Sequence, residues 1–483
     1  MLPLFLINIS EIDQTEPSHA FRPSSLNIIY SSKSSKIMKD GIPNVHFKNW
    51  AETFECVPEL FFAPKSQEEI AQILDLAREE NKKVRVVGSK HSPSDIACTN
   101  GFMISLQNFN KLVEVDKKLL RVKVQAGMKL TELNDILYSH NLGLSVLGSV
   151  SDITIGGAIS VGTHGTGIEY GVLSSYITEM ELMLSNNDVI KVSPEKDFDV
   201  FQATVCSLGS FGIILTVTIQ CEQAFNLHMR QYGLPLKDVV ENLDVHLTGS
   251  DHFRFMWFPY TDNVVVSHTS RTDLPARKET WLRKIWDLFW NYGIGYHALE
   301  FCYYVSTFFP HWVPHINRIF YYLLFSTSST KTDRSYRVFN FECLFKQYVN
   351  EWAIPIEKTG VVLWQLREWI ETTPDVYVHF PIEVRFTKAD NIFISPAFGR
   401  DTCYINIIMY RPYGKSVPYK KYWEAYEHIM LQAGGRPHWA KAHSITAQTF
   451  RHMYPLFTKW CSIRQQLDPI NMFMNSYMTR IFS

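Results

Sequence analysis

The glycine-rich stretch LGSVSDITIGGAISVGTHGTG, residues 147–167, constrains the fold of this chain more than any other segment. Glycine at this density lets the backbone adopt positive φ angles and approach a ligand closely, with its N–H groups turned inward. Such groups typically bind a pyrophosphate. The stretch is not a Walker loop, because no Gly-Lys-Ser/Thr ends it, and it lacks the Gly-x-Gly-x-x-Gly spacing of a Rossmann fingerprint. A set of tight turns is the alternative. Its glycines are Gly148, Gly156, Gly157, Gly162, Gly165 and Gly167.

A second candidate lies in KKVRVVGSKHSPSDIACTNGF, residues 82–102. The valines of VRVV predict a short buried strand that Gly88 ends. His91 follows in a turn rich in Ser, Pro and Asp. An imidazole placed directly after a strand is a candidate for chemistry that a serine cannot perform.

Helices and strands alternate through the first half of the chain. SQEEIAQILDLAREENKK, residues 66–83, opens with a capping box formed by Ser66 and Glu69 and continues with apolar residues at helical spacing. LLRVKVQAG, residues 119–127, alternates apolar and polar side chains and predicts a half-buried strand. A helix around 130–141 is expected to follow.

The segment VHFPIEVRF, residues 378–386, predicts one strand with an apolar face and a second face that carries His379, Pro381, Glu383 and Arg385. A Glu-x-Arg pair beside a cavity can bind a polyhydroxyl substrate and stabilise developing negative charge. A surface ion pair, worth about 0–1 kcal/mol, is the alternative.

Near the C-terminus, GGRPHWAKAH places His438, Trp439, Lys441 and His443 in a loop punctuated by Gly and Pro. Such a loop is either functional or a structural turn around a packed tryptophan.

Bulk composition narrows the class of protein. A length of 483 residues predicts two or three domains, and 46% apolar with 20% charged residues excludes general disorder. The formal net charge of −1 gives no electrostatic reason to bind nucleic acid. The eight cysteines have no metal-binding spacing, which predicts free thiols and no metal site.

Two segments stand apart from this pattern. The first ten residues, MLPLFLINIS, lack the basic n-region typical of a secretory signal, so none is expected there. Residues 14–40 are Ser-rich and aperiodic, and residues 1–40 are expected to form a loosely held extension. Residues 288–330 are aromatic and nearly uncharged, but Pro310 and Pro314 interrupt them. A spanning helix needs about 20 unbroken apolar residues. An interfacial patch that dips into a membrane and a buried helical hairpin remain the two interpretations.

Five motifs, in this order, resemble those of the animal L-gulonolactone oxidases: VGSKHSPSDIACT, SDITIGGAISVGTHGTG, FPIEVRF, IIMYRPYGK and GGRPHWAKAH. These enzymes are aldonolactone oxidoreductases of the vanillyl-alcohol-oxidase flavoprotein superfamily. The similarity runs from about His46 to the C-terminus and leaves out the first 40 residues.

The resemblance implies an α+β fold with a p-cresol methylhydroxylase (PCMH)-type FAD-binding domain of two subdomains over residues 41–225. A cap or substrate domain with a large antiparallel sheet follows over residues 226–483, and its C-terminal segment returns to the flavin. The implied reaction is FAD-dependent oxidation of L-gulono-1,4-lactone at C2 by O2. It gives L-ascorbate, through 2-keto-gulonolactone, and H2O2 at the endoplasmic reticulum (microsomal) membrane, with attachment through residues 288–330.

The resemblance also implies roles for individual residues. His91 would bond covalently to the C8α methyl of FAD, and Gly148 would leave room for oxygen beside the flavin. Glu383 and Arg385 would orient the lactone and polarise its reacting oxygen, Lys441 would stabilise the anionic reduced ring, and Ser149 would support catalysis. The FAD-binding residues implied are Gly88, Ser89, Lys90, His91, Ser92, Gly148, Ser149, Asp152, Thr154, Gly157, Gly162, Thr163, His164, Gly165 and Ile214.

One motif departs from the family, which usually has GGGHS where this chain has GSKHS. If either position needs a left-handed backbone, Ser89 or Lys90 costs roughly 1–2 kcal/mol there. Lys90 would compensate by bringing a cation near the FAD pyrophosphate.

Two other functions stay open: a dehydrogenase of the same fold that reduces cytochrome c or another acceptor, and a non-catalytic, membrane-associated flavin-binding protein. Gulono-, galactono- and arabinono-lactone all remain candidate substrates.

Overall fold

A computed structural model describes residues 37–277, 281–340 and 345–482. Most of the predicted N-terminal extension, residues 1–36, lies outside this part of the chain. The described residues form an α+β fold, as the resemblance implied. The first half holds a three-stranded parallel sheet and a five-stranded antiparallel sheet, and the second half is built on one eight-stranded antiparallel sheet.

The strands are numbered in chain order. Those of the first half are β1 (Phe47–Lys48), β2 (Glu55–Cys56), β3 (Leu60–Phe62), β4 (Val84–Val87), β5 (Phe102–Ser105), β6 (Leu112–Asp116), β7 (Arg121–Gln125), β8 (Leu142–Gly143), β9 (Ile177–Met183), β10 (Val189–Val192), β11 (Ile213–Gln220) and β12 (Glu222–Gln223). Those of the second half are β13 (Asn226–Pro235), β14 (His252–Trp257), β15 (Asn263–Thr272), β16 (Ser329–Arg334), β17 (Gln347–Pro355), β18 (Ile382–Thr387), β19 (Thr402–Tyr410) and β20 (Arg436–Pro437). The sheet orders are β3-β5-β4, β10-β9-β11-β7-β6 and β16-β13-β15-β14-β18-β19-β17-β20.

The α-helices are also numbered in chain order. They are α1 (Gln67–Glu79), α2 (Leu130–Ser139), α3 (Ile155–Ser160), α4 (Phe198–Thr204), α5 (Leu236–Glu241), α6 (Leu243–Thr248), α7 (Trp281–Leu288), α8 (Leu299–Ser306), α9 (Val313–Phe320), α10 (Ser335–Phe339), α11 (Thr359–Thr372), α12 (Lys420–Gln432), α13 (Ala447–Met453), α14 (Phe457–Leu467) and α15 (Ser476–Phe482).

The local predictions for the first half are confirmed. Helix α1 begins after Ser66, whose side chain accepts a hydrogen bond from the Glu69 backbone N–H, and its apolar face is buried. Strand β7 alternates buried Val122 and Val124 with half-exposed polar neighbours. The seven described cysteines are free thiols, while Cys343 lies outside the described residues.

The predicted strand over residues 378–386 is shorter than expected. Strand β18 starts only at Ile382, because Pro381 has no N–H to donate to a sheet ladder. Val378 to Phe380 are buried but lie outside the strand. The Glu-x-Arg pair remains on β18, between β14 and β19 in the middle of the large sheet.

The aromatic segment 288–330 folds into α8, α9 and the π-helical stretches Phe289–Ala298 and Tyr321–Phe325. Inner side chains such as Tyr303 and Phe320 pack in a core with Phe258 and Phe380. Among the described residues, no helix has both the length and the apolar character needed to cross a membrane. Large apolar side chains of this segment that remain exposed are Leu288, Phe289, Phe301, Phe308, Phe309, Trp312, Ile319, Tyr322 and Leu323.

The C-terminal segment returns to the first half of the chain. Met472 accepts a backbone hydrogen bond from Val84 of β4, and Arg480 forms an ion pair with Asp95 at 3.0 Å. The end of the chain therefore supports the strand and turn that carry His91.

Candidate active site

The His91 turn is held by close packing against the glycine-rich stretch. A Cβ atom on Gly88 would lie 2.0 Å from Thr154 Oγ1, so only glycine allows the turn to approach the start of α3 this closely. Lys90 occupies the left-handed region with φ of 62°, where its side chain costs roughly 1–2 kcal/mol. Its ammonium lies 5.8 Å from the centre of the Phe47 ring, near the exposed edge of the site.

His91 itself is fixed on two sides. Its ring stacks on Trp50 with 5.8 Å between centroids, and its Nε2 lies 3.7 Å from Asp152 Oδ2. Asp152 also forms an ion pair with Lys129 at 2.7 Å. The interaction with His91 lowers the pKa of Asp152, against the effect of burial, and Lys129 lowers it further. An anionic Asp152 therefore orients the imidazole.

The turn, the glycine-rich stretch and the large sheet enclose one cavity of about 430 Å³. Of the residues implied by the resemblance, those that line it are Gly88, Ser89, Lys90, His91, Ser92, Gly148, Ser149, Thr154, Gly157, Thr163, His164, Ile214, Glu383, Arg385 and Lys441. Asp152, Gly162 and Gly165 do not line it: Asp152 contacts His91, Gly162 packs near Pro396, and Gly165 borders a smaller adjoining cavity. The glycine-rich stretch thus contains both a ligand-facing wall and tight structural turns.

Sheet register brings the charged residues together on the cavity floor. Glu383 of β18 pairs with Asn406 of β19, which pairs with Glu351 of β17, so the three side chains lie in one row. The guanidinium of Arg385 lies between the two carboxylates, 2.6 Å from Glu351 Oε1 and 3.6 Å from Glu383 Oε2. Both Glu383 and Arg385 are 8% exposed, which rules out the surface ion pair.

Two further cations extend this arrangement into a chain of alternating charges. Arg254 of β14 donates to Glu383 at 3.1 Å, and Lys441 Nζ lies 3.7 Å from Glu351 Oε2. Three cationic side chains thus face two carboxylates. Arg385 also donates to Ser149 Oγ at 3.4 Å, which ties the floor of the cavity to the glycine-rich wall.

Burial and neighbouring charges determine which of the ionisable side chains on the cavity floor are protonated. Burial raises the pKa of Glu351, but the charges of Arg385 and Lys441 and the hydrogen bond with His164 outweigh it and hold that pKa well below its usual range. Burial lowers the pKa of His438 to about 3, and burial with the nearby Arg385 lowers that of His164. Both imidazoles are therefore neutral at physiological pH, and the cluster keeps a net positive charge.

His164, Glu351 and His438 also place ligand atoms within 4.8 Å of one another, a spacing that suits a metal ion. Glu351 Oε1 already accepts from Arg385 and lies 3.2 Å from His164 Nε2. The Arg385 guanidinium therefore already supplies a positive charge at Glu351 Oε1. We interpret these three residues as part of the row of alternating charges on the cavity floor.

Two of the residues in the loop GGRPHWAKAH lie at the site, and two others have a structural role. His438 and Lys441 line the cavity. Trp439 instead donates to the Ile394 carbonyl at 2.6 Å, and His443 Nε2 lies 3.1 Å from the Tyr477 hydroxyl in the core. The packed tryptophan holds the loop so that its other two polar side chains reach the site.

Glu351 and Arg254 were missed by sequence reasoning. Each is the only Asp, Glu, Lys or Arg residue of its strand, QYVNEWAIP and HFRFMW, and both strands are largely apolar. This is a detectable anomaly, because charged residues are almost never fully buried unless paired. Their partners lie on other strands and cannot be read from local spacing.

The cavity walls fit a dinucleotide with a flavin. Gly148 lines the cavity, and a Cβ there would lie only 3.1 Å from Thr163 Cγ2. The buried hydroxyls of Ser89 and Ser94, both in the wall, have no hydrogen-bond partner among the described residues. Buried polar atoms are normally satisfied, so this wall is built for a polar ligand.

Comparisons with known proteins agree with this geometry. The profile of the FAD binding domain matches residues 58–193, and that of D-arabinono-1,4-lactone oxidase matches residues 217–481. L-gulonolactone oxidases of Scyliorhinus torazame and Mus musculus are 49% and 48% identical over 446 residues, covering 92% of this chain and 100% of each relative. L-gulono-1,4-lactone dehydrogenase of Mycobacterium tuberculosis is 35% identical over 436 residues, covering 90% of this chain and 98% of the relative.

The solved structures extend the comparison to the fold. A crystal structure of cholesterol oxidase from B. sterolicum superimposes with a TM-score of 0.77 at 15% identity, covering 96% of this chain and 100% of the other. At 15% identity this similarity is evidence for a shared fold only. The profile matches and the identities over nearly the whole chain show that it belongs to the aldonolactone oxidase family of FAD-binding oxidoreductases.

Proposed function

We propose that this protein oxidises the C2 hydroxyl of L-gulono-1,4-lactone with O2, giving L-ascorbate through 2-keto-gulonolactone, and H2O2. The observation that carries the proposal is the chain of alternating charges on the floor of the cavity that the His91 turn also lines. The names and high identity of the relatives support the choice of lactone.

FAD, when bound, supplies a two-electron acceptor for the hydride that leaves C2. The Gly88–Ser92 turn and the glycine-rich wall would hold it, because they line the same cavity. What the chain itself contributes is orientation and charge.

Glu383 and Arg385 would position the lactone. Glu383 accepts hydrogen bonds from substrate hydroxyls, and the guanidinium of Arg385 stabilises negative charge that develops on the reacting oxygen. Glu351 and Glu383 hold that guanidinium from opposite sides, so it needs no reorganisation during reaction. Ser149, 3.4 Å from Arg385, supports the same orientation.

Lys441 would stabilise the anionic reduced ring. Its Nζ lies only 3.7 Å from Glu351, so its charge is shared between that carboxylate and the cavity. The net positive charge of the cluster favours any anion that forms within it.

Oxygen consumption by the purified, flavin-containing protein on a panel of gulono-, galactono- and arabinono-lactone tests this function. We expect the highest kcat/KM with the gulono form, and one H2O2 released for each lactone consumed. Absence of turnover with every lactone, in protein that carries flavin, would instead support the non-catalytic flavin-binding function.

A dehydrogenase is the second candidate, because the relative from Mycobacterium tuberculosis that carries this name is 35% identical. It would transfer the same electrons to cytochrome c or another acceptor. The two candidates are separated by measuring peroxide yield in air beside cytochrome c reduction without oxygen.

We further propose that FAD is covalently bound through His91. The stacking on Trp50 and the Asp152 carboxylate beside Nε2 hold the imidazole in one orientation, which favours attack by the other ring nitrogen. The bond would join that nitrogen to the C8α methyl carbon: one C8α hydrogen and the imidazole N–H would be lost as protons, and the two electrons released would pass to the flavin and then to O2.

Finally, we propose that the protein associates with the endoplasmic reticulum membrane through the exposed aromatic side chains of residues 288–330. Exposed rings such as Phe308, Phe309 and Trp312 suit an interfacial attachment that does not span the bilayer. Substituting all three by Ser should release the protein from microsomes, whereas 1 M salt should not, because the attachment is apolar. Release of the wild type by salt alone would contradict this proposal.

A further inference from the structure

Cys56 and Cys98 form a pair of partly exposed thiols on the chain segments that flank the His91 turn. Cys56 is the last residue of β2, and Cys98 follows the short helical turn Asp95–Ala97. Both side chains pack in one small apolar cluster with Val87. The two thiols are hydrogen-bonded to each other, and both are reduced. Two reduced sulfur atoms are therefore in contact near the protein surface.

The backbone holds the two cysteines beside each other. The Thr99 N–H donates to Cys56 Sγ at 3.4 Å. Just beyond the pair, the Glu59 N–H donates to the carbonyl oxygen of Gly101 at 2.9 Å, so the segments that follow Cys56 and Cys98 are also joined. A disulfide needs side chains that point toward each other from closely spaced Cα atoms. Because the sulfur atoms already touch, a small rotation of the side chains would bring them to bonding distance.

The two thiols differ in how readily they lose a proton. The hydrogen bond from Cys98 lowers the pKa of Cys56 to about 7, against the effect of burial and with the help of the Thr99 N–H. The same contact, together with burial, raises the pKa of Cys98. Only the thiolate form of cysteine is a good nucleophile. Cys56 is therefore suited to attack an electrophile, while Cys98 keeps its proton beside it.

We propose that Cys56 and Cys98 form a peroxide-reactive site that is converted reversibly to a disulfide. The Cys56 thiolate attacks one oxygen of H2O2, the O–O bond breaks, and uptake of one proton gives a sulfenic acid and water. The sulfur of Cys98 then displaces the hydroxyl of the sulfenic acid, which leaves with the Cys98 proton as a second water. In total, two thiols lose two electrons and two protons, and H2O2 is reduced to two water molecules.

The source of the peroxide rests on the proposed function, which releases H2O2 as its second product. The reactivity of the two thiols does not depend on that source. It can therefore be tested with added peroxide, separately from any lactone.

The disulfide would join the two segments that hold the His91 turn. Strand β2, which carries Cys56, pairs with β1, and β1 leads to Trp50, whose N–H donates to the Lys90 carbonyl at 2.8 Å. Cys98 lies on the chain that leaves the turn. Oxidation would thus close a covalent loop that contains His91 and is anchored on the strand pair next to Trp50. Amide hydrogen exchange in the turn should be slower in the oxidised protein than in the reduced protein.

The test treats the full-length, flavin-containing protein with H2O2 in the absence of lactone. Trypsin places Cys56 and Cys98 on separate peptides, residues 49–65 and 91–111, because a lysine precedes and ends each of them. Mass spectrometry without reduction should find the two peptides linked, the second with any flavin bound to His91, and dithiothreitol should separate them. Cys98→Ser removes the resolving thiol and should leave a sulfenic acid on Cys56 that dimedone traps.

Cys461→Ser is the matched control. Cys461 of α14 is also partly exposed, but burial raises its pKa to about 11. Its substitution should leave formation of the linked peptide unchanged. In the wild type, Cys56 should react with H2O2 at least about tenfold faster than Cys461, because far more of it is ionised at neutral pH.

Absence of the linked peptide after treatment with added peroxide would overturn the proposal. Equal oxidation rates of Cys56 and Cys461 would also overturn it, because they would show unselective damage. If Cys98→Ser does not fold, the peptide map of the wild type still decides.

Turnover of the lactone in air should produce the same linked peptide, and catalase should prevent its formation. A disulfide that forms with added peroxide but not during turnover would support the thiol site and count against the proposed reaction. Failure of the site and failure of the proposed function are therefore distinguishable.

Discussion

Replacing Arg385 by Met tests the role of the charge chain most directly. Methionine keeps much of the side-chain volume but removes the cation that lies between Glu351 and Glu383. At the 2.6 Å separation from Glu351, with an effective dielectric constant of about 20, the Coulomb attraction is about 6 kcal/mol before desolvation is subtracted. Breaking one such buried pair typically costs about 3–5 kcal/mol of folding free energy.

The same substitution should affect catalysis more specifically. Loss of a preorganised, charged transition-state partner lowers the rate by about 10²–10³. We therefore expect anaerobic flavin reduction at saturating lactone, followed by stopped-flow absorbance, to slow by at least about 10²-fold. Because the pair is buried, the melting temperature should fall as well, so stability alone does not separate the roles.

Two matched variants make that separation. Arg385→Lys keeps a charge and should recover much of the stability but little of the rate, because lysine lacks the planar fork. Arg254→Met removes the other cation that pairs with Glu383, at 3.1 Å, and should slow reduction less than Arg385→Met does. A folded Arg385→Met protein that reduces its flavin within about threefold of the wild-type rate would refute the assignment of Arg385.

Three further predictions concern other parts of the site. Denatured wild-type protein should remain fluorescent under ultraviolet light on a gel and His91→Ala should not; flavin lost from both would contradict covalent attachment. Because the folded-state pKa of Glu351 is below its ordinary 4.5, the carboxylate stabilises the protein above that pH and less as pH falls. Glu351→Gln should therefore be destabilised at pH 7, with a gap to wild type that narrows toward pH 3 in denaturant titrations. Gly148→Ala, whose Cβ would lie 3.1 Å from Thr163 Cγ2, should slow reoxidation by oxygen more than anaerobic reduction by lactone; equal slowing of both steps would contradict an oxygen-specific role for Gly148.

Local sequence signals predicted the parts of the fold that depend on neighbours in the chain. The capping residues of α1 and the alternation of β7 are such signals, and both elements form where they were expected. Strand β18 was predicted too long because alternation continues through Pro381, whereas a ladder also needs an N–H at each paired position. Periodicity describes which side chains face the core but not which backbone groups are paired.

In the candidate site too, sequence reasoning found the residues that belong to local motifs and missed those that long-range strand pairing brings together. His91, the glycine-rich wall and the Glu-x-Arg pair were found because each is a compact motif. Glu351 was not found, because its meeting with Arg385 and Lys441 follows from the pairing of β17 with β19 and β19 with β18. Long-range register is set by the whole sheet, so a charge on one strand gives no indication of its partner on another.

The departure at Lys90 shows how this chain accommodates a change that the family motif disfavours. The backbone there is left-handed, with φ of 62°, so the structure does need the conformation that glycine provides most easily. Lys90 is not the only cation of this part of the cavity, because Arg85 of β4 also lines it. The turn is also held by backbone contacts that do not depend on residue 90: Trp50 N–H donates to the Lys90 carbonyl at 2.8 Å, and Asn49 donates to that of Ser92 at 3.1 Å. A cost of roughly 1–2 kcal/mol at one exposed position is small beside these contacts and the packing of Gly88 on Thr154. The turn can therefore keep His91 in place while its sequence varies.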